Sequence, residues 1–129
     1  MMNKNTKILV TGAAGFIGSH LVEALKEKDY LIVCLAHPED DIRHLESLNL
    51  KTFRGDLADC HVLEQAVDGV EVIYHLAGIS FSQDPDSFYR TNYDGTKNIV
   101  NACKAKKIHL KRFLYVSSAS VSGPTGEKK

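Results

Sequence analysis

Three glycines set three residues apart, Gly12, Gly15 and Gly18, stand in the segment Thr11-Gly12-Ala13-Ala14-Gly15-Phe16-Ile17-Gly18. No other feature constrains the chain so tightly. The residues before them, Lys7 to Thr11 (KILVT), read as a short buried strand. Those from Gly15 to Lys28 read as a helix, with Ile17, Leu21, Ala24 and Leu25 at the i, i+4, i+7, i+8 spacing of one face. Each glycine has a distinct use in such a strand-to-helix turn. Gly12 permits a tight exit from the strand, Gly15 lets a ligand's phosphates approach the backbone, and Gly18 lets the helix lie close to the sheet. The free N–H groups of the helix start, with the helix dipole behind them, then face a pair of linked phosphates.

The rest of the chain alternates strand and helix. Leu31 to Ala36 (LIVCLA) is a continuous apolar run and reads as a second strand. Pro38 breaks it, and Asp40 or Asp41 is placed to cap a short helix through Leu48. Lys51 to Arg54 reads as a weak third strand before a turn at Gly55. Cys60 to Val67 reads as a helix ending at Asp68-Gly69, and Val70 to His75 as the fourth strand. Asp86 to Lys107 contains a long helix with Thr96, Ile99, Val100 and Cys103 on one face. Arg112 to Ser117 is the fifth strand, and Ser118 to Lys129 is a loop. Strands joined by crossover helices pair in parallel, and runs apolar on both faces are covered on two sides. The expected fold class is therefore α/β, three layers around a parallel sheet of about five strands, with 1–129 as a single domain.

Bulk properties exclude several function classes. Sixteen basic and sixteen acidic residues cancel, so no net field draws the chain to nucleic acid or an anionic membrane. The cluster Lys104, Lys106, Lys107, Lys111 and Arg112 reads as a solvated helix end and its following loop. Cys34, Cys60 and Cys103 are far apart and in no Cys-x-x-Cys arrangement, which supports neither a disulfide framework nor a metal site and fits a reducing cytoplasm. No apolar run is long enough to span a bilayer, and the first residues carry no apolar signal region.

The glycine spacing is G-x-x-G-x-x-G, and TGAAGFIGSHLVEAL resembles the first loop and helix of extended short-chain dehydrogenases/reductases. Further segments resemble that family in order: Gly55-Asp56-Leu57-Ala58-Asp59 its GDLxD, His75-Leu76-Ala77-Gly78 its H-x-A-G, Thr91-Asn92-Tyr93-Asp94-Gly95-Thr96 its N-x-x-G-T, and Val116 to Gly123 its S-S-x-x-x-Y-G. The resemblance implies a Rossmann-like NAD(P)-binding domain and a role for each matching position. Gly12, Ala14, Gly15, Phe16, Ile17 and Gly18 would surround the pyrophosphate. Asp56 would accept from the adenine amino group, and Leu57 would lie against the ring. Leu76, Ala77 and Gly78 would back the ribose, and Asn92 would support the strand ends. Ser118 stands where the family places the serine that hydrogen-bonds the reacting group. Ser122 replaces the family's tyrosine in that segment. His75 reads as a packed histidine rather than an acid or base.

In that family, hydride transfer uses a tyrosine with a lysine four residues later, on a helix after the serine segment. The chain ends eleven residues beyond Ser118, before such a helix. It therefore reads as a truncated form with an incomplete catalytic site. Tyr93 and Lys97 satisfy Tyr-x-x-x-Lys but precede the serine strand and overlap the Asn92 motif, so they are not that pair. The position of the acidic residue that selects NAD is held by Ala36 and followed by His37, where many reductase-like members carry arginine for the 2′-phosphate. This leans slightly to NADP over NAD, with Glu39, Asp40 and Asp41 taken as helix-start residues. The function implied is the NAD(P)-binding portion of a nucleotide-sugar epimerase or dehydratase. The alternatives are a dihydroflavonol- or hydroxysteroid-type carbonyl reductase and a non-enzymatic dinucleotide sensor. The fifth strand, left as an open edge, is expected to drive self-association.

Overall fold

A computed structural model describes residues 2–123 and 126. Five strands form one parallel sheet: β1 (Lys7–Thr11), β2 (Leu31–Ala36), β3 (Lys51–Arg54), β4 (Val72–His75) and β5 (Arg112–Tyr115). Their order across the sheet is β3-β2-β1-β4-β5. Between them lie α1 (Phe16–Lys26), α2 (Arg43–Ser47), α3 (Cys60–Val67), α4 (Pro85–Phe88), a π-helical turn (Tyr89–Asp94) and α5 (Gly95–Ala105).

Period-two alternation along the strands divides the core. Ile8 and Val10 of β1 face α1 and α2 with Val22, Leu25, Ile32, Cys34 and Leu45. Leu9 faces α3 and α5 with Val33, Leu35, Leu63, Ile73, Ile99 and Cys103. The chain therefore winds to one side of β1 and then to the other, and the order reverses between β1 and β4. At such a reversal the connections leave in opposite directions and open a crevice beyond the carboxyl ends of the strands. Among the described residues no helix is long and apolar enough to cross a membrane.

Several boundaries differ from the sequence reading. In α1 the buried stripe is Gly18, Val22 and Leu25, whereas Ile17 is 60% exposed. Close approach at Gly18 sets the rotation of the helix and overrides the apolar spacing. β4 begins at Val72, because Val70 ends a turn in which its N–H donates to the Val67 carbonyl. The expected helix within 86–107 is three pieces, with the π turn in the middle. β5 stops at Tyr115, and Ala119–Ser122 form a 3-10 turn where a loop was expected. The remainder of that expected loop, 124–125 and 127–129, lies outside the described residues.

Candidate functional site

A cleft of about 410 Å³ occupies the crevice at the carboxyl ends of β1 to β4. It is lined by Gly12 and Gly15, by His37 and Asp40 beyond β2, by Asp56 and Leu57 beyond β3, and by Leu76, Ala77 and Gly78 beyond β4. Seven residues from three separate sequence motifs, together with His37 and Asp40 from the turn after β2, thus meet in one place.

The glycines of the first loop do different things. Gly12 has φ +66°, and a Cβ there would sit 2.8 Å from the Ala77 nitrogen. A Cβ on Gly18 would collide with the Gly12 carbonyl oxygen. Both are required by the protein's own packing. Gly15 has an ordinary extended conformation, φ −73° and ψ 175°, and its nearest obstacle is the Gly12 oxygen at 3.3 Å. Its lack of a side chain preserves space in the cleft. Gly15 is also the N-cap of α1 and supplies no side-chain cap. The first N–H groups of α1 therefore stand open beside a bare backbone, the arrangement that binds anions. Phe16, 83% exposed, and Ile17 turn their side chains outward and leave those N–H groups uncovered. Ala14 packs inward against the α1 side of the core.

A buried hydrogen-bond relay fixes the strand ends behind the cleft. The Thr11 hydroxyl accepts from the N–H groups of Leu76 (3.2 Å) and Ala77 (3.1 Å). It lies 2.6 Å from His75 Nδ1, while His75 Nε2 lies 2.8 Å from the Thr96 hydroxyl, which donates to the Asn92 carbonyl at 2.7 Å. Thr96 spends its proton on Asn92, so His75 Nε2 is the donor to Thr96 and Nδ1 accepts from Thr11. His75 is fully buried, and burial pushes its pKa down to about 4. It is a neutral packed residue, as its sequence context implied.

Asn92 lies in the π turn, and its amide pairs with Ile79 as a neighbouring strand would: Oδ1 accepts the Ile79 N–H and Nδ2 donates to the Ile79 carbonyl, both at 2.9 Å. A Cβ on Gly78 would meet Asn92 Oδ1 at 2.9 Å. Leu57 is held from behind by α5, where Gly95 leaves room for its side chain and Asn98 donates to its carbonyl at 2.9 Å. These α5 contacts were not legible in the sequence, although the glycine and threonine of the Asn92 motif mark where they fall.

At the outer end of the cleft, Asp56 Oδ1 accepts the Ala58 N–H at 2.8 Å and Oδ2 faces His37 Nε2 at 3.4 Å. Asp40 corrects the sequence reading. His37 to Asp40 form a turn with Pro38 in its second position, closed by the Asp40 N–H on the His37 carbonyl at 3.0 Å. This returns Asp40 to the cleft, where its carboxylate accepts the His37 N–H at 2.9 Å. Asp41 alone serves the helix start, accepting the Arg43 N–H at 3.1 Å. Proline one residue after histidine was the available signal.

Ser118 stands beyond β5, outside the cleft lining. It accepts the Ser120 N–H at 3.2 Å and lies 2.8 Å from the Ser120 hydroxyl. Tyr93 and Lys97 lie in a different groove with Tyr89 and Tyr115, and Tyr93 stacks on Tyr89 at 4.6 Å.

Residues 8–129 match the family model described as NAD dependent epimerase/dehydratase family. The chain belongs to this family. Among curated relatives of the epimerase/dehydratase chain, a decarboxylating sterol-4-alpha-carboxylate 3-dehydrogenase of Bos taurus is 34% identical over 120 residues, covering 92% of this chain and 32% of its own length. A 2-alkyl-3-oxoalkanoate reductase of Stenotrophomonas maltophilia is 37% identical over 119 residues, covering 90% and 34%. Among solved structures, MoeE5 in complex with UDP-glucose and NAD superposes with TM-score 0.76 at 32% identity, covering 92% of this chain and 38% of its own. The UDP-Glc/GlcNAc 4-epimerase of Campylobacter jejuni superposes at 0.81 with 26% identity, covering 92% and 39%. The epimerase/dehydratase segment thus spans about a third of the length of the curated relatives it matches.

Proposed function

We propose that residues 1–129 act as one dinucleotide-binding unit and hold NAD(P) with its pyrophosphate on the Gly12–Gly18 loop. The observation that carries this is the uncapped start of α1 beside Gly15, the one loop glycine whose bareness serves the cleft rather than the packing. Ala14, Phe16 and Ile17 contribute backbone there. Asp56 and Leu57 take the adenine, Leu76 to Gly78 back a ribose, and Asn92 holds the segment after β4 in place.

For the choice between cofactors, Asp40 favours NAD at neutral pH, since a carboxylate in the cleft accepts from ribose hydroxyls and repels a 2′-phosphate. MoeE5 was solved with NAD, in support of that preference. His37 remains the residue through which NADP is accommodated. When bound, the dinucleotide supplies hydride exchange at its nicotinamide, and this chain's residues bind and orient it. Ser118, beyond β5, serves as a substrate-positioning residue.

The parent activity is that of a nucleotide-sugar epimerase or dehydratase, supported by the solved neighbours. A carbonyl reductase or hydroxysteroid-type dehydrogenase is the second reading, favoured by curated relatives that are dehydrogenases and reductases. A sensor without turnover is the alternative from another class, separated from both by the absence of substrate-dependent NAD(P)H oxidation. Free Cys34 and Cys103, both buried, accord with a reducing cytoplasm. The outer edge of β5 recruits a second copy of the chain.

Titration of NADH, followed by its fluorescence, tests the main reading. Saturable binding is expected, abolished by Gly15→Val with little change in Tm. Binding unaffected by Gly15→Val would overturn it.

A further inference from the structure

We propose that His75 is a positioning residue for dinucleotide binding, acting from behind the cleft by holding both ends of the wall formed by residues 76–79. This rests on the dinucleotide reading of the cleft. Leu76, Ala77, Gly78 and Ile79 all line the cleft, and none of them lies in a helix or strand. Leu76 keeps one backbone bond, from its N–H to the Thr11 carbonyl at 3.3 Å. The other holds come from two side chains. At the near end the Thr11 hydroxyl accepts the N–H groups of Leu76 and Ala77, where Gly12 lies against the Ala77 nitrogen. At the far end the Asn92 amide takes both the N–H and the carbonyl of Ile79.

Both holds run to the one imidazole. A hydroxyl has one proton to donate and two lone pairs with which to accept. Because Nδ1 takes the Thr11 proton at 2.6 Å, both Thr11 lone pairs are left for the Leu76 and Ala77 N–H groups. Nε2 donates to the Thr96 hydroxyl at 2.8 Å, which turns its own proton to the Asn92 carbonyl. Only the neutral ring with its proton on Nε2 satisfies both arms. Tyr115 stacks on the ring at 5.4 Å and 21°, and Phe113 meets it edge-on at 6.1 Å, which sets the ring plane. The ring is fully buried and lies outside the cleft lining, so its effect on a ligand passes through its partners.

The two arms differ in reach. The Nδ1 arm is one hydroxyl away from the wall. Without an acceptor there, the Thr11 hydroxyl rotates and no longer presents both lone pairs to the two N–H groups. The Nε2 arm ends on the Asn92 carbonyl, while the Asn92 side chain keeps its own bonds to Ile79. Ligand affinity therefore follows the Nδ1 arm, and the Nε2 arm contributes chiefly to stability.

The test measures NAD affinity by calorimetry, and Tm, for the wild-type chain, His75→Asn, His75→Gln and His75→Phe. An asparagine side chain puts its amide oxygen where Nδ1 stands and leaves the Nε2 place open. A glutamine side chain puts its amide nitrogen where Nε2 stands and leaves the Nδ1 place open. Phenylalanine keeps the stacked ring and loses both arms. All three should lower Tm. NAD affinity should fall roughly tenfold in His75→Gln and His75→Phe, the scale of one lost hydrogen bond, and stay within about threefold of wild type in His75→Asn. In a Thr11→Val background, His75→Phe should cost no further affinity, because the arm it breaks is already gone. The 15N spectrum of the wild-type ring should show Nδ1 bare and Nε2 protonated. His75→Gln binding NAD as tightly as His75→Asn, affinity losses that add in the Thr11→Val background, or a proton on Nδ1 overturns the inference and leaves the dinucleotide reading standing. A wild-type chain that binds no NAD overturns that reading and this inference together.

Discussion

Gly15 and Gly18 separate ligand space from packing space within four residues. Gly18→Ala puts a methyl into the Gly12 carbonyl, so backbone must shift, and a loss of roughly 2–4 kcal/mol is expected in urea unfolding. Gly15→Ala meets only a 3.3 Å contact in a conformation alanine adopts freely, so stability should change by less than about 1 kcal/mol while dinucleotide affinity falls at least roughly tenfold. Equal effects on stability from the two would contradict the division. His75 adds a pH dependence. Its folded pKa of about 4 lies below the ordinary 6.5, so the unfolded chain takes up the proton first. The stabilisation from its neutral relay is complete above pH 6.5 and is lost as pH falls toward 4. At ~1.4 kcal/mol per pKa unit this removes roughly 3 kcal/mol, to be read from unfolding curves at pH 7.5 and 4. His75→Gln should flatten that slope while lowering stability at pH 7.5. Residue identities around the pocket were legible because each motif follows a strand. Asp40 was not, since its place depends on how one turn closes.

Elements were legible where apolar runs are long. LIVCLA and Cys60–Val67 have the same bounds in sequence and structure, the latter because Asp59 caps it by accepting the Val62 N–H at 3.1 Å. The π turn at Tyr89–Asp94 was hidden because one wider turn leaves side-chain composition unchanged. It carries Asn92 to Ile79, and that contact gives the turn its use. Asn92→Ala strips partners from the Ile79 N–H and carbonyl, with an expected cost of about 1–3 kcal/mol. Amide exchange at Ile79 should quicken selectively. An unchanged Ile79 rate in a folded Asn92→Ala chain would show that the turn is held by something else.

Parallel pairing across the whole sheet followed from the crossover helices. The strand order did not, because it depends on which side each crossover takes. Among the described residues nothing pairs with the outer edge of β5, where Leu114, Tyr115 and Val116 are exposed by 38%, 46% and 45%. Antiparallel pairing of two β5 edges about Leu114 would set Arg112 opposite Val116 and Phe113 opposite Tyr115, with no like charges facing. Sedimentation of the wild-type chain should show a concentration-dependent dimer, and Leu114→Lys, which places two lysines face to face, should give a monomer. A wild-type monomer at high concentration would contradict this use of the edge. Dinucleotide binding is assigned instead to the backbone between Gly12 and Gly18, at the carboxyl end of β1. It is tested most directly by following the amide resonances of 15N-labelled protein as NAD is added. The largest shifts are expected at Gly15, Phe16, Ile17 and Gly18, with smaller ones at Asp56 and Ala77. Saturable shifts confined to the grooves beside α5 and β5, with those loop amides unmoved, would contradict it.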